Sequence, residues 1–310
     1  MTKFSVLICT YNRPEMLEIA LNSLINRTNE KPDQVIVVNG GNERSDLIVR
    51  NYMNRSDVQV ELVKTVNKNL ATSRNIGLAY CTGNILAMTD DDAEVFPDWV
   101  TQMKKAHAEH PEAGGVGGAV LGADSNNSLL SCIADKAVFS SPTLPAYVRT
   151  LPGVNVSYKQ EVLKQVGLQD ESLSRGEDVD FNWRIKQLGY EIYYTPEIKV
   201  IHHHRPTMKG MILQFFMYGR AYVHVRGKWP EMYCVYPHGI HSLRDFLKAG
   251  FFFVAIIYWP LKDSLVIKPW PERLGALLIL LLNQIAWRGG MIYEKIITYG
   301  RKSSLPDMSS

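Results

Sequence analysis

Short apolar runs alternate with segments of helical period over the first two hundred or so residues, and this alternation predicts most of the fold. FSVLIC, from position 4, is a β-rich run; YNRP then turns the chain into a helix predicted over 14–26, with Pro14 in the tolerated first turn. The unit recurs. A buried strand over 34–38 ends in NGGN, a helix follows to residue 53, and a third strand covers 58–63. A helix over 71–80, a strand over 84–89 and a helix over 97–107 extend the series. Such alternation implies an α/β fold with a mostly parallel sheet and helices on both faces.

The GGVGG within 113–120 enters a strand instead of joining a strand to a helix, so it reads as structural and not as a phosphate loop. Residues 122–151, rich in Ser, Asn and Pro, predict a long loop with short helical pieces. A strand over 153–158, a helix over 159–166, an acidic loop feeding a second helix, and strands over 191–194 and 198–201 close the α/β part, assigned to 1–205. Beyond 207 the alternation stops. Met208, Met211, Ile212, Phe215 and Phe216 recur at helical spacing, as a stripe that packs on the α/β part would. AGFFFVAIIYWPL (249–261) and LGALLILLLNQIAW (274–287) are uncharged for 13 and 14 residues. A straight span needs about 20, so each suits a re-entrant, interfacial or buried helix. Arg244, Lys248, Lys262, Lys268, Arg273, Arg288, Lys295, Arg301 and Lys302, with Trp259, Trp270 and Trp287, flank them and favour an anionic membrane surface. The helical appendage is assigned to 206–300, and the tail 301–310 is expected to be disordered.

Composition adds limits. With 46% apolar residues, 21% charged and a formal net charge of +3, the 310-residue chain is globular and gives no argument for nucleic acid. Cys9, Cys81, Cys132 and Cys234 form no CxxC pair, which predicts a reducing compartment without disulfides or zinc. MTKFSVLICTYNRPE lacks the apolar run of a signal peptide, so a cytoplasmic location is expected.

The candidate chemistry begins where the strand over 84–89 runs out in Asp90, Asp91 and Asp92. Open parallel sheets bind ligands at that edge. Adjacent carboxylates repel, so a hard cation, magnesium or manganese, is the natural resolution; a solvated acidic turn is the plainer one. Glu177, Asp178 and Asp180 open a predicted helix, whose dipole accounts for acidic residues there. A carboxylate in that group could equally take a proton from an attacking hydroxyl. His202, His203 and His204 precede Arg205. Three adjacent histidines on a strand cannot all point one way, but one imidazole could complete a metal site. Surface histidines beside a structural arginine are the alternative. Arg74 is either a phosphate or base contact or an ordinary helix-surface cation.

In order, the segments SVLICTYNRPEMLEIALNSL, VIVVNGG, NLATSRNIGLAYCTGNILAMTDDDAEVFPDW, GVNVSYKQEVLKQVG, LSRGEDVDFNWRIKQLGY and VIHHHR resemble the inverting glycosyltransferases of family 2, over roughly residues 3–222. The resemblance implies the GT-A fold, a Rossmann-like variant, and metal-assisted transfer of a sugar from a nucleotide-diphosphate donor, with UDP-sugars favoured. It implies nucleotide-sugar contacts from Thr10, Tyr11, Asn12, Arg13, Asn39, Arg74, Asp90 and Asp91. A Mn2+ or Mg2+ ion would be held by Asp90, Asp92 and His202. Asp178 would be the base, with Glu177 beside it, and Asn155 and Glu177 would line the acceptor side. One departure stands out: the family commonly has an aspartate at Asn39 and a second acidic residue at Gly40. The apolar C-terminal pair resembles members that build polysaccharides or lipid-linked glycans at the inner face of the membrane. A catalytically silent, membrane-docked scaffold that binds a sugar nucleotide is the alternative. A nucleotidyltransferase would need a glycine-rich basic loop after strand one, which CTYNRPE is not.

Overall fold

The period-two pattern of strand β1 (Phe4–Thr10) turns directly into two layers. Phe4, Val6 and Ile8 face one side of the sheet, where Leu17, Leu21 and Leu24 of α1 (Pro14–Asn26) and Trp99 of α4 (Trp99–Glu109) close over them. Leu7 faces the other side, with Ile36, Leu86 and Phe181. Each side is therefore sealed by helices, as a strand apolar on both faces requires. The computed structural model describes residues 2–55, 57–123, 133, 142–203, 207–232, 242–265 and 270–303.

The remaining elements of this layer structure are β2 (Gln34–Asn39), α2 (Glu43–Arg55), β3 (Gln59–Lys64), α3 (Leu70–Leu78), β4 (Ile85–Asp90), β5 (Ala93–Val95), β6 (Ala113–Gly122), β7 (Ala146–Tyr147), β8 (Val156–Lys159), α5 (Gln160–Val166), α6 (Glu177–Gln187) and β9 (Glu191–His202). The strand order is β3-β2-β1-β4-β8-β6-β9-β5, with β7 also on β9. The first four of these strands are parallel, as the alternation predicts. Beyond them β8 runs antiparallel between β4 and β6, and the short β5 and β7 run antiparallel to β9, so the sheet is mixed. Register sets the function-bearing edge. Thr10 pairs with Asn39 and Cys9 with Asp90, so β1, β2 and β4 end together.

Several boundaries differ from expectation for physical reasons. The strands expected over 191–194 and 198–201 are one, β9, which carries Pro196 past a register shift between Gly118 and Ala119 of β6. The GGVGG run is strand, and its glycines are steric necessities: a Cβ at Gly117 would meet the Asn155 carbonyl oxygen at 2.2 Å. Of the loop expected over 122–151, 124–132 and 134–141 lie outside the described residues.

The chain divides into two units, Met1–Asp124 with Phe139–His204, and Ser125–Val138 with Arg205–Ser310. The second contains α7 (Met208–Lys228), α8 (Leu243–Ser264) and α9 (Trp270–Ser303). The methionine-rich stripe finds its core inside this unit, where Met211 and Phe215 pack with Ile133, Ala276, Ile279 and Leu280. Both apolar windows lie in helices longer than themselves, 22 residues for α8 and 34 for α9, and for the window 274–287 the expectation of a segment too short to cross a bilayer is corrected. Glu272–Thr298, 27 residues, is long and apolar enough to cross one. Helix α9 also runs to Ser303, into the tail expected to be disordered; 304–310 lie outside the described residues.

One buried base gives the first unit a pH signature. His107 of α4 is buried with Nε2 2.9 Å from Ser157 Oγ, and its Nδ1 has no hydrogen-bond partner among the described residues. Burial, helped by Lys159, pushes the imidazole down to about 3. The unfolded chain therefore binds a proton below about 6.5 that the folded chain refuses, and stability falls as pH drops through that window. Between pH 7 and 4.5 the wild type should lose about 2–3 kcal/mol more than His107→Leu in urea unfolding. Equal losses in the two proteins would refute this assignment.

Candidate active site

The edge where β1, β2 and β4 end gathers the first acidic cluster. Asp90 is the last residue of β4, and after two intervening residues the chain enters β5, whose Ala93 pairs with His202 at the end of β9. This pairing brings a histidine from 110 positions away beside the aspartate turn. One oxygen each from Asp90 and Asp92 and one nitrogen of His202 lie within 4.8 Å of one another. His202 Nε2 is 3.3 Å from Asp92 Oδ1. Asp91 points elsewhere. It is buried, accepts a hydrogen bond from Thr10 Oγ1 at 2.8 Å, and pairs with Arg13 at 3.2 Å, which also reaches Asp92 at 2.5 Å.

The three carboxyls are thereby driven apart. Burial raises Asp90 above its ordinary range, against Arg74 and reinforced by Asp92. Burial and the neighbouring Asp92 push Asp91 up to about 6, with Arg13 and Thr10 opposing. Burial also works against ionisation of Asp92, but His202 and Arg13 outweigh it and hold that carboxyl below the usual range. Two carboxylates and an imidazole form a hard-to-borderline donor set, which fits manganese better than magnesium.

The second acidic cluster opens α6, and its members separate by partner. Gly176 enters the helix with φ 79°, a left-handed turn that favours glycine. Asp180 is buried against Arg184 at 3.0 Å, which anchors 166–168 through two further bonds, so it is structural. Glu177 is buried 3.1 Å from Arg74, and burial with Asp178 beside it pushes its carboxyl up to about 7. Asp178 is half-buried and accepts hydrogen bonds from Gly153 N at 3.3 Å and Val179 N at 2.8 Å. Arg74 joins the two clusters: its other nitrogen lies 3.2 Å from Asp90. A Cβ on Gly153 would lie 2.4 Å from the same guanidinium, so only glycine lets this backbone sit between Arg74 and Asp178.

The polar face of α3 fixes the loop before α6. Glu171 accepts from Asn75, Thr72 and Lys68, its carbonyl accepts from Asn69, and Asn75 bonds both backbone groups of Gln169. Neither Glu171 nor Gly153 is marked by spacing or charge in the sequence. Asn69 and Asn75 lie in the quoted motif, yet only their partners in 169–171 reveal what they hold.

Two expected site residues are committed elsewhere. Asn155, expected on the acceptor side, is fully buried; it accepts from Trp99 Nε1 and donates to the carbonyls of Ala119 and Ile198, so its amide is taken up in bracing the sheet. Asn39 is buried too, holding the following turn through Gly41 N and Asn42 O while donating to Asp46 at 2.6 Å. Its amide is occupied by that turn. Tyr11 is half-exposed at the strand edge, and Asn12 sits at φ 55° with its side chain accepting from Asn42 N. The histidine run diverges as strand geometry demands: His203 turns to Glu94 at 2.8 Å, which Arg27 also holds. His204 and Arg205 lie outside the described residues.

Comparison with known proteins places this arrangement. A glucosyl-dolichyl phosphate glucuronosyltransferase of Haloferax volcanii is 27% identical over 225 residues, 69% of this chain and 70% of that one. A pre-mycofactocin glycosyltransferase of Mycobacterium tuberculosis is 27% identical over 172 residues, 53% of this chain but only 36% of that one. Among solved structures, the mannosyltransferase PcManGT of Pyrobaculum calidifontis, in complex with GDP-Man and Mn2+, superposes with a TM-score of 0.64. It is 17% identical, with 95% of this chain and 88% of that chain covered, and this establishes the shared fold, GT-A. The model of the family described as glycosyl transferase family 2 matches residues 5–164, more than half of the chain, and to that family the chain belongs.

Proposed function

We propose that the chain is an inverting glycosyltransferase. It moves a sugar from a nucleotide-diphosphate donor, with UDP-sugars first, to a hydroxyl of a growing glycan, lipid-linked saccharide or polysaccharide at the cytoplasmic face of a membrane. The observation that carries this reading is Arg74 holding Asp90 and Glu177 together, because it brings both acidic clusters to one sheet edge. A one-step displacement needs a leaving-group site and a base on opposite sides of one sugar. The two clusters supply them.

On the donor side, the turn from Thr10 to Arg13 offers the nucleotide its contacts, and Asn39 at the end of β2 holds the neighbouring turn in place. Asp90, Asp92 and His202 would hold the divalent cation, which when bound neutralises charge on the diphosphate leaving group. Manganese is the favoured ion on the donor set, and the Pyrobaculum relative holds the same ion. On the acceptor side, Asp178 takes the hydroxyl proton as oxygen attacks the anomeric carbon. Gly153 N fixes the orientation of that carboxylate. Glu177, held by Arg74, lies beside it and lines the acceptor side.

Two substitutions separate these roles. Asp178→Asn keeps the shape and the Gly153 contact but removes the base. Turnover should fall about 100-fold or more, while donor affinity by calorimetry stays within about threefold. Asp92→Ala removes a cation ligand, so manganese-dependent donor binding itself should weaken by about tenfold or more. Near-normal turnover in the first variant, or unchanged manganese-dependent binding in the second, would overturn the corresponding role.

A further inference from the structure

The helical unit is built inside out. In a helix that packs on a water-soluble domain, the buried stripe is apolar and the outer face polar. Helix α9 inverts this. Between Arg273 and Lys295, its exposed side chains are Leu274, Leu278, Leu282, Ile285, Ile292 and Tyr293, all apolar. Its buried face carries Asn283, Arg288 and Glu294. Helix α8 shares the apolar exterior between Arg244 and Lys262: Phe246, Leu247, Phe253, Val254, Ile257, Tyr258 and Leu261 are exposed, while Asp245 and Lys248, in its first two turns, are half-buried.

The inward charges are paired within the unit, and Asn283 is bonded through its amide nitrogen while its Oδ1 finds no partner among the described residues. Glu294 takes Arg220 at 2.6 Å and His224 at 2.9 Å, both from α7. Arg288 donates from Nε to the Phe252 carbonyl of α8 at 2.9 Å, and Asn283 Nδ2 approaches Met211 Sδ at 3.1 Å. Small residues let α7 and α9 touch backbone to backbone: a Cβ on Gly219 would meet the Trp287 carbonyl oxygen at 1.8 Å, and one on Gly290 the Phe216 carbonyl oxygen at 2.0 Å. Glycine contacts, charges satisfied between helices and an aliphatic exterior are how helices pack where the surroundings are hydrocarbon.

We infer that α8 and α9 are embedded in the hydrocarbon of a lipid bilayer as a helical hairpin. Length and charge agree with that occupant. From Arg273 to Lys295 the helix rises about 33 Å and from Arg244 to Lys262 about 27 Å, against a hydrocarbon core of about 30 Å. Exposed Arg244, Lys262 and Lys295 sit at the ends of these stretches, where they meet anionic headgroups. Between them, the exposed described residues present no charge to the lipid. This inference stands on the helical unit alone and does not depend on the proposed transfer chemistry.

The test uses the full chain, purified in detergent and reconstituted into phosphatidylcholine vesicles containing phosphatidylglycerol. Vesicles are washed with concentrated sodium chloride, then with alkaline carbonate, and floated on a density gradient. The chain should float with the lipid after both washes and leave it only in detergent. Leu278→Lys with Ile285→Lys, which puts two charges on the outward face of α9, should lower the floating fraction about tenfold or more. Leu47→Lys with Leu188→Lys, on exposed positions of the first unit, should float like the wild type. Release of the wild type by salt or carbonate would overturn the inference, whether it then runs as a monomer or as a dimer in which a second copy covers the face. Flotation of the α9 variant equal to that of the wild type would overturn it as well.

Discussion

The geometry of the catalytic edge depends on one buried guanidinium. Arg74 is 4% exposed and lies between Asp90, at the end of a parallel strand, and Glu177, at the start of a helix and 103 positions after Arg74 itself. Neither carboxyl tolerates that burial alone, since both are held above their ordinary range by desolvation. Removing the cation would leave buried Glu177 unpaired beside half-buried Asp90, which destabilises both segments. The neighbourhood is arranged to keep it in place. Gly153 leaves room for its plane, and the clasp of α3 on residues 169–171 fixes the loop that leads to Glu177 and Asp178.

The same link explains the division of the acidic residues. Of six carboxyls in the two clusters, Asp91 and Asp180 are turned inward to Thr10, Arg13 and Arg184, where they stabilise the two segments. Asp90, Asp92 and Asp178 are left partly open at the edge, with Glu177 behind them. In the sequence all six look alike. Their partners come from other strands, so only the sheet register tells a ligand-facing carboxyl from a bracing one.

Elements whose own residues decide their state were legible in advance. Helix α1 occupies 14–26 as predicted, because Pro14 starts it and Leu17, Leu21 and Leu24 repeat at helical spacing. The parallel strands β1 to β4 fall within a residue or two of expectation for the same reason. Three-residue β5 was not legible: it exists through its pairing with β9. The antiparallel insertion of β8 was hidden likewise, since an apolar run does not record its neighbour's direction. The partners of Asn155 and Asn39 were not legible either, because an amide satisfies a carbonyl or carboxylate of the fold as readily as a ligand. In the sequence, the apolar windows of α8 and α9 stop at the nearest charges, Lys248 and Lys262 for one, Arg273 and Arg288 for the other. Arg288 ends the window of α9 in the sequence and Glu294 follows it, yet in the folded helix both face inward and leave the outer surface unbroken.

The central claim is displacement in one step with Asp178 as the base, and stereochemistry tests it most directly. With an α-linked donor, slow hydrolysis by water in place of the acceptor can be followed by proton NMR, before the released sugar equilibrates between anomers. The account predicts that the β-anomer appears first, and that Asp178→Asn suppresses its formation. First appearance of the α-anomer would mean retention, and would contradict the assignment of a single displacement at this site.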